Sequence, residues 1–531
     1  CVDLNTAPQG SIITTAQKKQ VLGADPAKIS AGVAGIASMF NQYMGGLGTG
    51  NGYHSDFGFG SIMLDTDLRG IDMLAPNTGY NWFSDACDLS DHVYSYGTTL
   101  MFWNDLYQQI YSANQVIDGI DPTKADNDLS RFYLSQGLAM RAFDYFVLAQ
   151  LYQFTYKGHE NLPCVPIILN TNAQQCAEEG AVRSSVQEVY DQVLADLDKA
   201  IECLTDNSIT RDDKRYVDLA TAYGIRARVN LVMQNWGDAA SDAQAAISAS
   251  SATPLAQKEA AGPGFNSSSL HNWMWAIVIA ETDRVVTSGI VNWISHMGSF
   301  NYGYASVGGW KSCSIPLYSS INATDVRRTW WLDDSRSNSA LSKEQMAYLT
   351  ASYELKKIPH LQTKFNSYNG VLDQATNAND IPLMRIEEMY LIDAEATAMA
   401  GNPALGASKL EEFVKTYRDS KYTCKASSAA DVQEQVWLQR RIELWGEGIS
   451  YFDILRLEKG IDRRGIGYAD IAPEWIFNVA PDDPYMIYCL PKSEIEGNPK
   501  LTDADNNAPG EAPKPLPAGV AALRALVSNW G

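Results

Sequence analysis

The feature that most constrains this chain is a repeated helix–turn–helix pattern built on small residues. The segment DLATAYGIRARVNLVMQNWGDAASDAQAAIS, within 217–250, has an Ala-rich first half, a short Asn- and Gly-containing turn, and a second half with Ala at four-residue spacing. The same plan returns at 383–419, LMRIEEMYLIDAEATAMAGNPALGASKLEEFVKTYRD. Small residues at this spacing let two helices approach closely, and such pairs bury a continuous core only by stacking on one another.

Other stretches carry the same period. Asp25-Pro26 reads as N-cap and first helical position, followed by Ile29, Val33, Ile36, Phe40 and Tyr43 and ended by Gly45-Gly46. Trp103, Leu106, Ile110, Ala113 and Ile117 share one face of a second helix. Leu134, Leu138, Ala142, Tyr145, Leu148, Ala149 and Tyr152 form the stripe of a third. Ser185 and Glu188 make a capping box that opens a fourth, with Val189, Val193, Leu197, Ala200, Ile201 and Leu204 on its face. QEQVWLQRRIELWGEGISYFDILRLEKG, 433–460, reads as one last long helix. The expected fold is mostly α, a tetratricopeptide-like scaffold of about four helix pairs formed mainly by 25–46, 98–250 and 383–460.

Two regions break the period. Residues 47–92 read as mostly non-helical loop, rich in Gly, Asp, Asn and aromatics. Residues 252–382 read as an irregular, minor-β insertion, with strand-like runs at 274–280 and 285–294 and an aromatic, Gly-rich stretch at 299–318. The division expected is a tether at 1–24 and a single domain over 25–531.

Charge and motifs remove several function classes. The net charge is −21, from 41 basic and 62 acidic side chains, and an acidic surface repels nucleic-acid phosphates. No run approaches 18 consecutive apolar residues, so no helix is expected to span a membrane. There is no GxSxG elbow, no HExxH and no Walker loop, and the six His are far apart. The expectation is a non-enzyme with no metal and no cofactor. Arg440 and Arg441 are spaced to pair with Glu443. Glu443 and Glu447 lie one turn apart among arginines that hold them ionised, unlike the raised acid a glycosidase needs. They read as charges that specify the fold.

Eight cysteines are scattered without a CxxC, and those beyond the first read as buried apolar side chains. Cys1 is the first residue and is followed by a polar, tether-like stretch, 2–20. This fits bacterial lipoprotein processing, in which signal removal exposes a Cys that is then acylated, placing the chain on a membrane surface without spanning it.

Three segments carry a resemblance. GLAMRAFDYFVLAQLYQ, IPLMRIEEMYLIDAEA and RRIELWGEGISYFDILR, the last followed by LPKSEIEGNPKL, are similar in order and character to the SusD/RagB family of outer-membrane nutrient-binding lipoproteins. The tail DADNNAPGEAPKPLPAG departs from the family's usual short ending. The resemblance implies a four-repeat tetratricopeptide scaffold, a variable ligand face and a SusC-like TonB-dependent barrel as partner. It also implies a ligand that is an oligosaccharide or, in some members, a peptide.

Sugars present apolar C–H faces and polar edges, so a binding site combines exposed aromatic rings with Asp, Asn and Arg. The two loop regions supply these. Asp65, Asp67, Arg69, Tyr80, Asn81 and Trp82 come from the first, and Trp293, Asn301, Tyr302, Tyr304 and Trp310 from the second. Trp82 and Trp310 lead the candidates. Trp103, Trp273, Trp275, Trp437 and Trp445 fall on periodic or strand-like segments and belong to the expected core.

Overall fold

Long helices dominate the computed structural model, which describes residues 26–48, 52–120, 125–467 and 471–517. Cys1 and the tether over 1–24 lie outside the described residues. So does Asp25, the expected N-cap of helix α1 (Pro26–Ser38). α1 ends in a 3-10 turn, Met39–Asn41, several residues before Gly45-Gly46.

α2 (Phe59–Arg69) leads to α3 (Gly97–Gly119), α4 (Asp128–Tyr152) and α5 (Val186–Leu204). α6 (Leu219–Met233), α7 (Trp236–Ala249), α8 (Ile386–Met399) and α9 (Pro403–Tyr417) follow. α3 packs on α4, α4 on α5, α5 on α6, α6 on α7, α7 on α8 and α8 on α9. This is the chained packing of helix pairs that the repeated pattern requires. Small residues sit at the crossings. A Cβ at Gly137 of α4 would lie 2.9 Å from Ile117 of α3, and one at Gly406 of α9 would lie 2.6 Å from Ala398 of α8. Ser185 caps α5 as expected, its hydroxyl accepting from the Glu188 amide at 3.1 Å, while the Glu188 carboxylate accepts from that hydroxyl at 3.2 Å instead of from the Ser185 backbone amide. No helix among the described residues is long and apolar enough to cross a membrane.

Three readings need correction. Residues 47–92 are not a continuous loop, because α2 lies within them and every residue of it is buried. The run 285–294 is not a strand but parts of two short helical turns, Arg284–Thr287 and Trp293–Met297, the second capped by the Asn292 side chain accepting from the Ser295 amide. The last long helix is two, α10 (Ala429–Glu443) and α11 (Ser450–Arg456). Gly446 and Gly448 break it with φ of 79° and 72°, and a Cβ at Gly446 would lie 2.6 Å from the Phe365 ring.

The strands are short and serve as clasps. β1 (Met73–Leu74) pairs with β3 (Ser312–Cys313), joining the two irregular regions. β2 (Trp273–Ile277) pairs antiparallel with β4 (Ile381–Arg385), which leads directly into α8. A small pair, β5 (Ile461–Asp462) and β6 (Asn478–Val479), lies after α11.

The core holds Trp103, Trp273, Trp275 and Trp445, all buried, whereas Trp437 is only half-buried. Cys424 is half-buried, the other described cysteines are buried, and all are free thiols.

The charged residues of the family-like segments form a buried ionic core. Glu443 takes Arg418 at 2.7 Å, with Arg385 and Arg327 at 3.2 and 3.3 Å. Glu447 takes Arg385 at 2.6 Å and Lys364 at 2.8 Å. The helical spacing misidentified the partners of the next two arginines. Arg440 pairs with Asp453 at 2.8 Å and Arg441 with Asp72 at 2.7 Å, neither with Glu443. The chain break at Gly446 and Gly448 folds α11 back so that Asp453 reaches Arg440, while Asp72, just before β1, reaches Arg441.

Candidate ligand-binding site

The β1–β3 clasp brings the turn at 77–82 against the segment 301–310. The Thr78 hydroxyl donates to the Gly308 carbonyl at 2.9 Å. Gly308 has φ 144°, and a Cβ there would lie 2.8 Å from the Tyr80 ring, so glycine is what lets this ring lie flat across the second segment. Tyr80 is 49% exposed and Tyr302 47% exposed.

Three partly buried rings from the same two segments and from His54 touch one another. Trp82 lies 4.8 Å from His54 and 6.1 Å from Tyr304, centroid to centroid. His54 Nδ1 and the Tyr304 hydroxyl share a hydrogen bond. Tyr304 stacks on buried His296 at 4.9 Å and 17°, and Phe57 stacks on His296 at 5.4 Å and 15°. His296 Nε2 donates to the His54 carbonyl at 2.9 Å. Burial, reinforced by the nearby Lys311, pushes His296 down to about 3, so it remains a neutral ring. Burial lowers His54 as well.

On the side of Trp82 a cleft of about 530 Å³ opens. Tyr53, Tyr96 and Trp82 form its aromatic walls, and Asn81, Ser84, Asp85 and Thr98 supply polar edges. Burial and the neighbouring Asp91 and Asp88 carboxylates push Asp85 up to about 6. Flat rings with a polar rim offer what a sugar chain needs, namely stacking faces and hydroxyl partners. Among the described residues no group of three or more His, Cys, Asp or Glu converges as a metal site.

Several of the sequence-selected residues lie elsewhere. Asp65, Asp67 and Arg69 were expected on an open loop, and the structure places them inside on α2, at 2%, 5% and 0% exposure. Arg69 pairs with Asp91, the Tyr488 hydroxyl bonds Asp65, and Asp67 accepts from the Gly448 amide at 3.1 Å. Trp293 and Trp310 are buried, Trp293 edge-on to Phe365 at 4.9 Å. Asn301 is buried and donates to the Ile294 carbonyl and to Asn377. Asn81 lies in the cleft wall but is itself mostly buried. Its Nδ2 donates to the Pro76 carbonyl and its Oδ1 accepts from the Phe83 amide, so it shapes the turn.

Two family models match the chain. Residues 65–231 match one described as starch-binding associating with outer membrane, and residues 293–509 match the SusD family. The chain belongs to the SusD/RagB family. A SusD-like protein of Formosa agariphila is 24% identical over 429 residues, covering 76% of this chain and 80% of that protein. A SusD-like carbohydrate binding protein from Bacteroides vulgatus superposes with a TM-score of 0.73 at 25% identity, covering 91% of this chain and 98% of the other. A SusD superfamily protein from Bacteroides thetaiotaomicron gives 0.66 at 19% identity, with 91% and 99% covered. The tetratricopeptide-like fold is thus shared across nearly the full described length.

In this SusD/RagB-family chain, Trp82 and Tyr304, selected from two separate loop regions, come into ring contact, whereas His54, Tyr53, Tyr96 and Asp85 around them were not selected from the sequence. Tyr53-His54 stands in the Gly-rich stretch GTGNGYHSD, and that setting was the available signal. Tyr96 and Asp85 carried none, because the clasp and the start of α3 bring them to the cleft.

Proposed function

We propose that this chain captures glycan at the bacterial surface and passes it on uncut, as a binding component of nutrient uptake. The observation that carries this reading is the ring cluster of Trp82, Tyr304 and His54, with Trp82 also walling the 530 Å³ cleft beside Tyr53 and Tyr96. The description of the matching family as starch-binding and outer-membrane-associated supports both the ligand class and the location. A peptide ligand is the alternative in such a fold. An acidic peptide or a free C-terminal carboxylate calls for cationic partners, and the described cleft lining contains no Lys or Arg.

Non-catalytic binding fits the carboxylates. Glu443 and Glu447 are buried inside the ionic core. Burial alone would raise them, but Arg418 for Glu443 and Arg385 for Glu447 outweigh it and hold both below the ordinary carboxylate range. A general acid requires the opposite. A lipid on Cys1 and a SusC-like TonB-dependent barrel that receives the glycan complete the proposal, and both rest on the family resemblance alone.

The test is affinity electrophoresis of the soluble protein through gels containing single polysaccharides, beside Trp82→Ala. Retardation by a glycan, lost in the variant, supports the reading. Retention of peptide mixtures with no glycan retarded contradicts it.

A further inference from the structure

We infer that the cleft beside Trp82 selects uncharged glycans and turns away acidic ones, with Asp85 as the residue that sets this preference. The inference rests on the glycan-binding reading and narrows it to a charge class.

Four observations carry it. Asp85 is the one charged side chain among the thirteen described residues that line the cleft. The charged groups nearest it are Asp91 and Asp88, and no cation stands among the groups that set its titration. The charge of Asp91 is directed away, into its ion pair with buried Arg69, and Asp88 accepts from the Ser90 amide at 2.9 Å. The whole chain carries a net charge of −21, which is unfavourable for an anionic ligand.

A carboxylate with a hydroxyl but, among the described residues, no cation beside it treats ligands in an aromatic cleft differently by charge. A sugar hydroxyl donates to it in a charge-assisted hydrogen bond, which is stronger than a neutral one. A uronate or sulfate at the same place meets a like charge. Two like charges about 6 Å apart at a protein surface repel enough to weaken binding by roughly tenfold or more. No Lys or Arg in the described lining offsets this. The edge residues Ser84, Ser95 and Thr98 are neutral and suit hydroxyl-rich ligands.

The experiment uses the full soluble chain against neutral hexose polymers (soluble starch, galactan, mannan, mixed-linkage β-glucan) and acidic ones (polygalacturonate, alginate, a sulfated galactan). A second arm takes the neutral polymer that retards the protein and oxidises part of its C6 hydroxyls to carboxylates. The expected result is retardation by a neutral polymer, with its oxidised form bound at least tenfold more weakly. In Asp85→Asn, and in Asp85→Ser as a second variant, that gap is expected to shrink to about threefold or less. Equal or stronger retardation of the wild type by an acidic polymer overturns the inference while leaving glycan binding intact. So does a gap unchanged in both variants. Retardation by none of the polymers counts against the glycan reading itself, and this inference falls with it.

Discussion

Arg385 and Glu447, far apart in sequence, meet in a two-pronged ion pair, with Nε–Oε1 at 2.6 Å and Nη2–Oε2 at 2.8 Å, shut off from solvent. Arg385 ends β4 and Glu447 sits in the glycine break between α10 and α11, so one contact ties the strand clasp to the end of the helical scaffold. Removing one partner strands the other as a buried charge, at a cost of about 3–5 kcal/mol. Arg385→Met and Glu447→Gln are each expected to lower the unfolding free energy by about that amount, read from urea denaturation.

The same core predicts an acid limit. Glu443 and Glu447 titrate below their ordinary value in the folded chain, so their contribution is present above the usual carboxylate range and is lost as pH falls through the lowered folded values. The melting temperature is expected to fall as pH drops below about 4.5, and Glu447→Gln to show a shallower fall. An equally steep fall in the variant would remove Glu447 from the account.

The two leading tryptophans are expected to part company on mutation. Trp310 is 7% exposed and packed in the main core, so Trp310→Ala should cost about 3–5 kcal/mol of stability. Trp82 is only half-buried, so Trp82→Ala should remain folded and lose binding. Thermal melts beside gel retardation separate the two outcomes.

Discrimination against acidic glycan is expected to depend on pH. The groups around Asp85 are Asp91, Asp88 and the Ser90 hydroxyl, with Arg69 behind Asp91. Asp85 titrates near 6, so its negative charge is complete well above that pH and fades below it. The gap between a neutral polymer and its oxidised form should be widest at pH 8 and narrow toward pH 5. Calorimetry at several pH values checks this, and a gap that widens on acidification would contradict it.

Asp144, on α4, is buried with no hydrogen-bond partner for either carboxylate oxygen. Burial raises it well above the ordinary value, so the acid costs stability once pH exceeds the unfolded value, and the cost vanishes in acid. Asp144→Leu keeps the branched outline of the side chain, with larger methyls in place of the oxygens, and removes the stranded group. It should stabilise by at least about 1 kcal/mol at pH 7.5, with the gain shrinking toward pH 4. Destabilisation at both pH values would mean that the carboxyl is satisfied in solution.

The scaffold was legible because helical signals are local. Ser185 with Glu188, the stripe from Leu134 to Tyr152 and the Asn–Gly turns all act within a few residues. The errors share a cause in long-range partners. Asp65, Asp67 and Arg69 look like loop chemistry until Asp91, Tyr488 and Gly448 satisfy them from afar. Apolar periodicity runs straight through Gly446 and Gly448, and only the close packing of Phe365 and Met63 shows why the helix must break there. The ligand face was half legible for the same reason. Aromatic loops announce themselves, but which rings meet is decided by the pairing of Met73 with Cys313 and Leu74 with Ser312.

The central claim is that the face around Trp82 binds glycan without cutting it. Isothermal calorimetry with the polysaccharide that retards the wild type, run beside Trp82→Ala and followed by an assay for new reducing ends, tests it most directly. The account predicts a binding heat for the wild type, affinity lower by about 2 kcal/mol (roughly 30-fold) in a still-folded Trp82→Ala, and no new reducing ends. Unchanged affinity in the variant, or reducing ends accumulating with the wild type, would contradict it.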